Sequence, residues 1–427
     1  MRWVLTASAE KFHATEKTVL FKRSRRGVEI VARSSGCSFS YKFFKQPFSM
    51  VLLFTSISFC SFASQIEEKE IAGFFSASYQ QARDKFLAAA KPAGAKITHF
   101  RNPAVGAEGE ALFTDVAAFN MEGAESILVV GSGTHGIEGF AGSGIQTGLL
   151  RSGFPAKLKP GVGLLFYHAL NPYGFSHIRR FNEDNVDVNR NFVDHSQTHP
   201  RNKGYERLAG LIEPERLTAW TKFKAQAGFA WHRLTKGRRW LQRTVSQGQY
   251  THPLGLFYGG DSDSWSNQTL REIANRHLSR AKRVVLVDIH TGLGEYAAAE
   301  LIVSERPDSP IYLRSKDWWG DLVKNPISGD SVSPPVQGAL KYAFARMLPE
   351  TEIIAVSLEF GTSPPLRVFW ALWSENYLHH HPADPNLDRG NIKAELLRVF
   401  YPDKNDWRES VWRQGSNAVN LALKNLQ

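Results

Sequence analysis

The sequence predicts an α/β protein: a single domain over residues 70–427, with helices flanking a mixed, mostly parallel central sheet. Three observations carry this. Apolar, β-branched runs of strand length alternate with segments of helical spacing. No internal repeat and no linker interrupts the alternation. His135, His290 and Glu359 each follow an apolar run, at the carboxyl edge where open α/β sheets hold their ligands.

Taken in order, residues 71–90 have helical spacing, ended by Pro92 and Gly94. KITHFR, ALFTDVAAFN and SILVV are strands with glycines at the turns between them. The stretch ILVVGSGTHGIEGFAGSGIQ leaves its strand through Gly131, Ser132 and Gly133, presents His135 and Glu138, and opens a helix at 140–152. GVGLLFYHAL is a buried strand, and Asn171-Pro172-Tyr173-Gly174 turns after it. The next loop holds Arg179, Arg180, Asn189 and Arg190, whose guanidinium forks suit a carboxylate. Salt bridges to Glu183, Asp184 and Asp187 are the alternative use of those arginines.

Residues 200–270 form a helical insertion, basic outside, with Trp231 and Trp240 expected to pack inward. A loop follows, then a helix capped by Ser266 or Asn267. VVLVDIH, LIVSERP and EIIAVSLEFGT are strands, and residues 317–336 are a loop that can serve as a lid or pocket wall. The remainder is helical, with His379, His380 and His381 expected as a solvated tract.

The 427 residues carry a net charge of +11. Residues 1–49 hold ten Lys/Arg against three Asp/Glu, and the other +4 is spread over a far longer segment. The basic balance therefore gives no reason to expect nucleic acid. Residues 1–69 read as a basic, disordered extension with a signal-like apolar segment at 50–64. Export to the periplasm or medium follows if translation starts at Met50; otherwise a cytoplasmic protein is expected, without a stable membrane span. Cys37 and Cys60 both precede the main domain, so a metal there needs His and carboxylate ligands.

His135 and Glu138, three residues apart at the mouth of a strand, can hold one face of such a metal, with His290 as third ligand. That donor set, with a position left for water, suits one Zn²⁺ per chain and a hydrolase.

The motifs resemble the zinc carboxypeptidase superfamily, which includes the aspartoacylase and succinylglutamate desuccinylase deacylases. His135-Gly136-Ile137-Glu138, Asn171 to Gly174, Asp187-Val188-Asn189-Arg190-Asn191-Phe192, Asp288-Ile289-His290 and SLEFGT around Glu359 stand in the family's order. GTHGIEG, RRFNEDNVDVNRNF, GLFYGG, WSNQTLRE, DIHTGLG and LEFGT are similar to a bacterial branch, domain-of-unknown-function family 2817. The resemblance implies Zn²⁺ on His135, Glu138 and His290, and Glu359 as general base. It implies Arg179, with Arg180 second, as oxyanion stabiliser, and Asn189 and Arg190, together with Arg180, as substrate-binding residues that grip a carboxylate. The implied activity is that of a metallocarboxypeptidase-like peptidase on peptides. An N-acyl amino acid deacylase and a catalytically silent zinc-holding module are the alternatives. The family's assisting tyrosine has no clear match: Tyr296 and Tyr312 come early and Tyr342 falls in a predicted helix.

Overall fold

The chain divides into two units, Met1–Ile66 and Glu67–Gln427. The computed structural model describes residues 18–24, 27–34, 37–44 and 68–427. In the first unit β1 (Thr18–Ser24), β2 (Gly27–Ser34) and β3 (Cys37–Phe44) pair antiparallel, Ser24 opposite Gly27 and Ser34 opposite Cys37. This stretch was expected to be a disordered tail. Its valine, isoleucine, phenylalanine and tyrosine content is that of strands, and the charge count obscured it. The signal-like segment at 50–64 lies outside the described residues.

The second unit is built on one eight-stranded sheet. Its strands are β4 (Lys96–Val105), β5 (Ala111–Phe119), β6 (Ser126–Gly131), β7 (Val162–His168), β8 (Arg283–Tyr296), β9 (Ala299–Ile302), β10 (Val323–Lys324) and β11 (Glu352–Gly361). Their order is β10-β9-β11-β8-β6-β7-β5-β4. The central four, β11, β8, β6 and β7, are parallel; β5 and β4 continue antiparallel on one side and β9 runs antiparallel to β11 on the other. The sheet is mixed, as expected. β7 is buried at every residue, which is why GVGLLFYHAL reads as an unbroken apolar run rather than an alternating one. Val129, Leu165, Leu286 and Ala355 carry the core across four adjacent strands.

Among the described residues, thirteen helices accompany the sheet. Residues 71–90 are not one helix but α1 (Glu68–Phe74) and α2 (Tyr79–Ala90). Ser78 separates them: it is extended, and its hydroxyl accepts from the Gln81 amide as an N-cap. α3 (Gly139–Arg151) and α4 (Pro172–Ser176) follow β6 and β7. The insertion contributes α5 (Lys203–Ile212), α6 (Ala219–Lys236) and α7 (Arg238–Ser246). α8 (Trp265–Leu278) is capped by Ser264, not by Ser266 or Asn267. α9 (Pro310–Trp319), α10 (Leu340–Met347), α11 (Pro365–His380), α12 (Arg389–Phe400) and α13 (Asn405–Leu426) complete the layers.

Two local expectations change. Trp231 does not pack inward: it is 65% exposed, while Ala225 and Phe229 take the inner face of α6. His379 and His380 are the last turn of α11 rather than a solvated loop. Among the described residues no helix is long and apolar enough to cross a membrane.

Candidate functional site

The site is assembled by a tight turn after β6. Gly133 has φ +69°, a region that favours glycine. A Cβ on Gly136 would lie 2.0 Å from the Gly174 carbonyl carbon, so the turn and α4 touch backbone to backbone. The Gly136 and Ile137 amides donate to the Arg180 and Arg179 carbonyls, and the Asn171 side chain caps α4 by accepting from the Gly174 amide at 2.8 Å. The glycines thus bring the His135 turn, the Asn171 turn and the arginine loop together.

His135, Glu138 and His290 converge there, one ligand atom from each lying within 4.8 Å of the others. All three are buried. Nδ1 of His135 is 2.9 Å from Glu138 Oε1, and Nδ1 of His290 is 2.9 Å from Oε2. The two Nδ1 atoms face each other at 3.3 Å. Each ring turns its other nitrogen to a carboxylate: His290 Nε2 to Asp288 at 2.7 Å, and His135 Nε2 to Asp187 at 3.1 Å. With the Nε2 protons given to those aspartates, both Nδ1 atoms present lone pairs to the same point, beside a carboxylate. Such a donor set fits a divalent cation. Burial opposes ionisation of Glu138, but His135 and His290 outweigh it and hold its carboxyl well below the usual range.

Glu359 stands on β11 in register with His290 on the neighbouring parallel strand β8. Its Oε1 accepts the Leu293 amide at 2.9 Å. Burial, aided by the Glu138 charge, pushes its pKa up to about 8, with His290 pulling the other way.

The arginine loop divides its two guanidinium groups. Arg180 reaches the His135–Glu138–His290 cluster, with Nη1 3.0 Å from Glu138 and Nε 3.0 Å from Asp187. Arg179 turns away and is buried against Glu375 at 2.9 Å and Asn185 at 2.9 Å. Of the two consecutive arginines, Arg180 and not Arg179 reaches the His135–Glu138–His290 cluster. Asn189 and Arg190 reach the same cavity as the cluster. The Arg190 guanidinium is held by the Ser246 and Asn189 backbone carbonyls, and the Asn189 side-chain oxygen Oδ1 accepts the Leu340 amide at 2.8 Å. The acceptor being engaged, Asn189 has its amide N–H groups left for a ligand.

The cavity has a volume of about 390 Å³. His135, Glu138, His290, Glu359, Arg180 and Arg190 form its polar end. Phe229 of α6, Leu241 and Val245 of α7, and Leu366, Phe369 and Leu372 of α11 make apolar walls. Pro326, Ser333, Pro334 and Val336 from the loop expected as lid or wall line it too. No tyrosine is among the lining residues described; Tyr342 lies within α10, as expected.

The family model described as "Protein of unknown function (DUF2817)" matches residues 75–414. The chain belongs to that family. No curated protein matches it. Solved structures similar to this DUF2817 chain include carboxypeptidase A from Helicoverpa armigera, at 12% identity and TM-score 0.41, covering 79% of this chain and 77% of that one. Thrombin activatable fibrinolysis inhibitor is similar at 8% identity and TM-score 0.43, covering 86% and 78%. Succinylglutamate desuccinylase from Chromobacterium violaceum is similar at 18% identity and TM-score 0.32, covering 72% and 77%.

Three residues of this DUF2817 site escaped sequence reasoning in whole or part. Asp187, expected as an ion-pair partner of the loop arginines and as the first residue of the Asp187–Phe192 motif, is also fully buried behind His135. Asp288 was named only within the Asp288–His290 motif, yet it holds His290 Nε2; its spacing of two on one strand is the signal, because alternate residues share a face. Lys341 lines the cavity, buried, with a pKa brought down by burial to about 8. Nothing in its helical context marked it.

Proposed function

We propose that this chain is a zinc-dependent hydrolase that cleaves an amide bond next to a substrate carboxylate, in the manner of a metallocarboxypeptidase. One observation carries the reading. A buried two-histidine, one-glutamate donor set shares a cavity with an independent carboxylate, Glu359, and with the Asn189–Arg190 pair. His135, Glu138 and His290 would hold the metal, and the nitrogen-and-oxygen donor set suits Zn²⁺. When bound, such a metal acidifies water and polarises a carbonyl.

The remaining steps belong to the protein. Glu359 takes a proton from the attacking water and returns it to the leaving nitrogen. Arg180 stabilises negative charge developing on the attacked carbonyl oxygen. Arg190 and the Asn189 amide bind the substrate carboxylate and fix the scissile bond. The apolar walls exclude water and accept a non-polar side chain or acyl group.

The test begins with metal content of the purified chain beside His135→Ala. About one zinc per wild-type chain, lost in the variant, is expected. Peptides with a free C-terminus should then be cleaved, and their C-terminally amidated forms should not. Hydrolysis of N-acyl amino acids alone would replace the peptidase reading with a deacylase. Bound zinc with no turnover on either class would leave a silent metal-holding module.

A further inference from the structure

The helical insertion has a second face that the cavity does not use. α6 turns Ala225 and Phe229 inward, where Phe229 packs edge-on against Phe369 of α11 at 5.0 Å. On the opposite side Trp220, Phe223, Trp231 and Leu234 are 64%, 58%, 65% and 82% exposed, and Ala227 and Ala230 lie exposed among them. At 3.6 residues per turn these six positions fall within an arc of about 100°. Trp220 and Phe223 stack on each other, 5.7 Å between ring centroids, without being covered by anything else. Scattered exposed hydrophobics need no explanation, but a continuous aromatic and aliphatic stripe along one helix marks an interaction surface.

Charge identifies what the stripe fits. Residues 216–260 contain eight Lys/Arg and no Asp or Glu. All eight, from Arg216 through Lys222, Lys224, Arg233, Lys236, Arg238 and Arg239 to Arg243, are exposed. Lys224 flanks one side of the stripe, and Arg233 and Lys222 stand beyond the other. The positive charge of the main unit is therefore concentrated here: outside residues 1–49 and 216–260 the chain is net acidic. A second copy would set like charges against each other. Single-stranded nucleic acid would use the rings and the cations but not Leu234. An anionic bilayer surface takes all three features, with tryptophan at headgroup level, leucine in the acyl boundary and lysine or arginine on the phosphates.

We propose that α6 is an interfacial docking element by which this protein sits on an anionic lipid surface. The proposal is independent of the hydrolase reading, since neither metal nor turnover enters it. Leu366, which lines the cavity, is itself 60% exposed and lies in a shallow groove shared with Lys222 and Gln226 of α6. The rim of the cavity thus adjoins the docking helix.

The test uses the full chain with vesicles of phosphatidylcholine alone and of equimolar phosphatidylcholine and phosphatidylglycerol. Cosedimentation with the anionic vesicles, accompanied by a blue shift of tryptophan emission, is expected. Binding should fall at least about tenfold in a Trp220→Ala, Trp231→Ala, Leu234→Ser variant and again in a Lys222→Glu, Lys224→Glu variant. These side chains are exposed, and circular dichroism checks that both variants fold. Absence of vesicle binding by the wild type would overturn the proposal. So would equal binding by the variants, which would assign the lipid contact to another part of the chain. Tighter binding to a single-stranded oligonucleotide, lost in the same variants, would make the face a nucleic-acid surface. Dimerisation lost in the apolar variant would make it a contact between copies.

Discussion

Oδ2 of Asp288 lies 2.7 Å from Nε2 of His290, two residues further along β8. The other oxygen of Asp288 accepts the Thr134 hydroxyl at 2.8 Å and the Tyr167 hydroxyl at 3.0 Å. Asp288 is thus clamped by β8 itself, by β7 and by the turn after β6, and it fixes which ring nitrogen of His290 is free for a metal. Asp288→Asn should weaken metal affinity by about 10–100-fold, the usual effect of removing such a partner. Competition against a chromogenic chelator measures this; an unchanged affinity would show that His290 is not held through Asp288.

Glu359→Gln keeps the side-chain shape and the Leu293 contact while removing the base. Turnover should fall by about 10²–10⁴-fold, the range of general acid–base catalysis. Metal content should stay at the wild-type level, because Glu359 is not among the ligands. A parallel loss of metal would move Glu359 into the coordination set and sink the general-base assignment.

Arg180 and Arg190 should separate kinetically. Arg190→Met removes carboxylate binding and should raise KM more than it lowers kcat. Arg180→Met removes charge stabilisation at the reacting carbonyl and should lower kcat by about 10²–10³-fold. Steady-state kinetics on a peptide with a free C-terminus distinguishes them, and a reversed pattern would exchange their roles.

Arg179 should behave differently from both. Its guanidinium is buried and ion-paired with Glu375, which also holds Lys393 at 2.7 Å. Arg179→Met leaves part of a buried charge uncompensated and should cost about 3 kcal/mol or more in urea unfolding. Activity per folded molecule should remain. Lost activity at intact stability would restore Arg179 to the chemistry.

Stability should also respond to acid through His168. This ring is buried, stacked on Phe86 at 4.7 Å, with Nε2 3.0 Å from the Ser143 hydroxyl. Burial pushes its pKa from 6.5 down to about 4. Between those values the unfolded chain binds the extra proton, so stability falls as pH drops from 6.5 towards 4 and is flat above. His168→Gln should flatten that part of the profile, by up to about 3 kcal/mol at the acid end. Denaturant midpoints across this range provide the check.

The metal-ligand candidates were legible because His135 and Glu138 are close in sequence and His290 follows an unmistakable strand. The choice between Arg179 and Arg180 was not. They leave Ile178, at φ +51°, in an irregular loop, where no period says which of two consecutive guanidinium groups faces inward. α6 failed for a related reason. Its sequence has two apolar faces, one through Phe229 and one through Trp220, Phe223, Trp231 and Leu234, and periodicity alone cannot say which one meets the core. The break at Ser78 was masked because apolar residues continue on both sides of it, although a serine three residues before Gln81 is a cap signal.

Glu359 and His290 occupy facing positions on two strands joined rung to rung. Their separation is therefore inherited from the lateral repeat of a β-sheet, about 4.8 Å, rather than from any loop. The 68 residues that connect them, Thr291 to Leu358, include strand β9, α9, the cavity-lining loop and α10. That crossover can lengthen, shorten or change composition while the pair stays in place. Substrate preference is then free to drift in evolution without retuning the proton-transfer distance, and grafting a foreign connection between β8 and β11 becomes a practical route to new specificities.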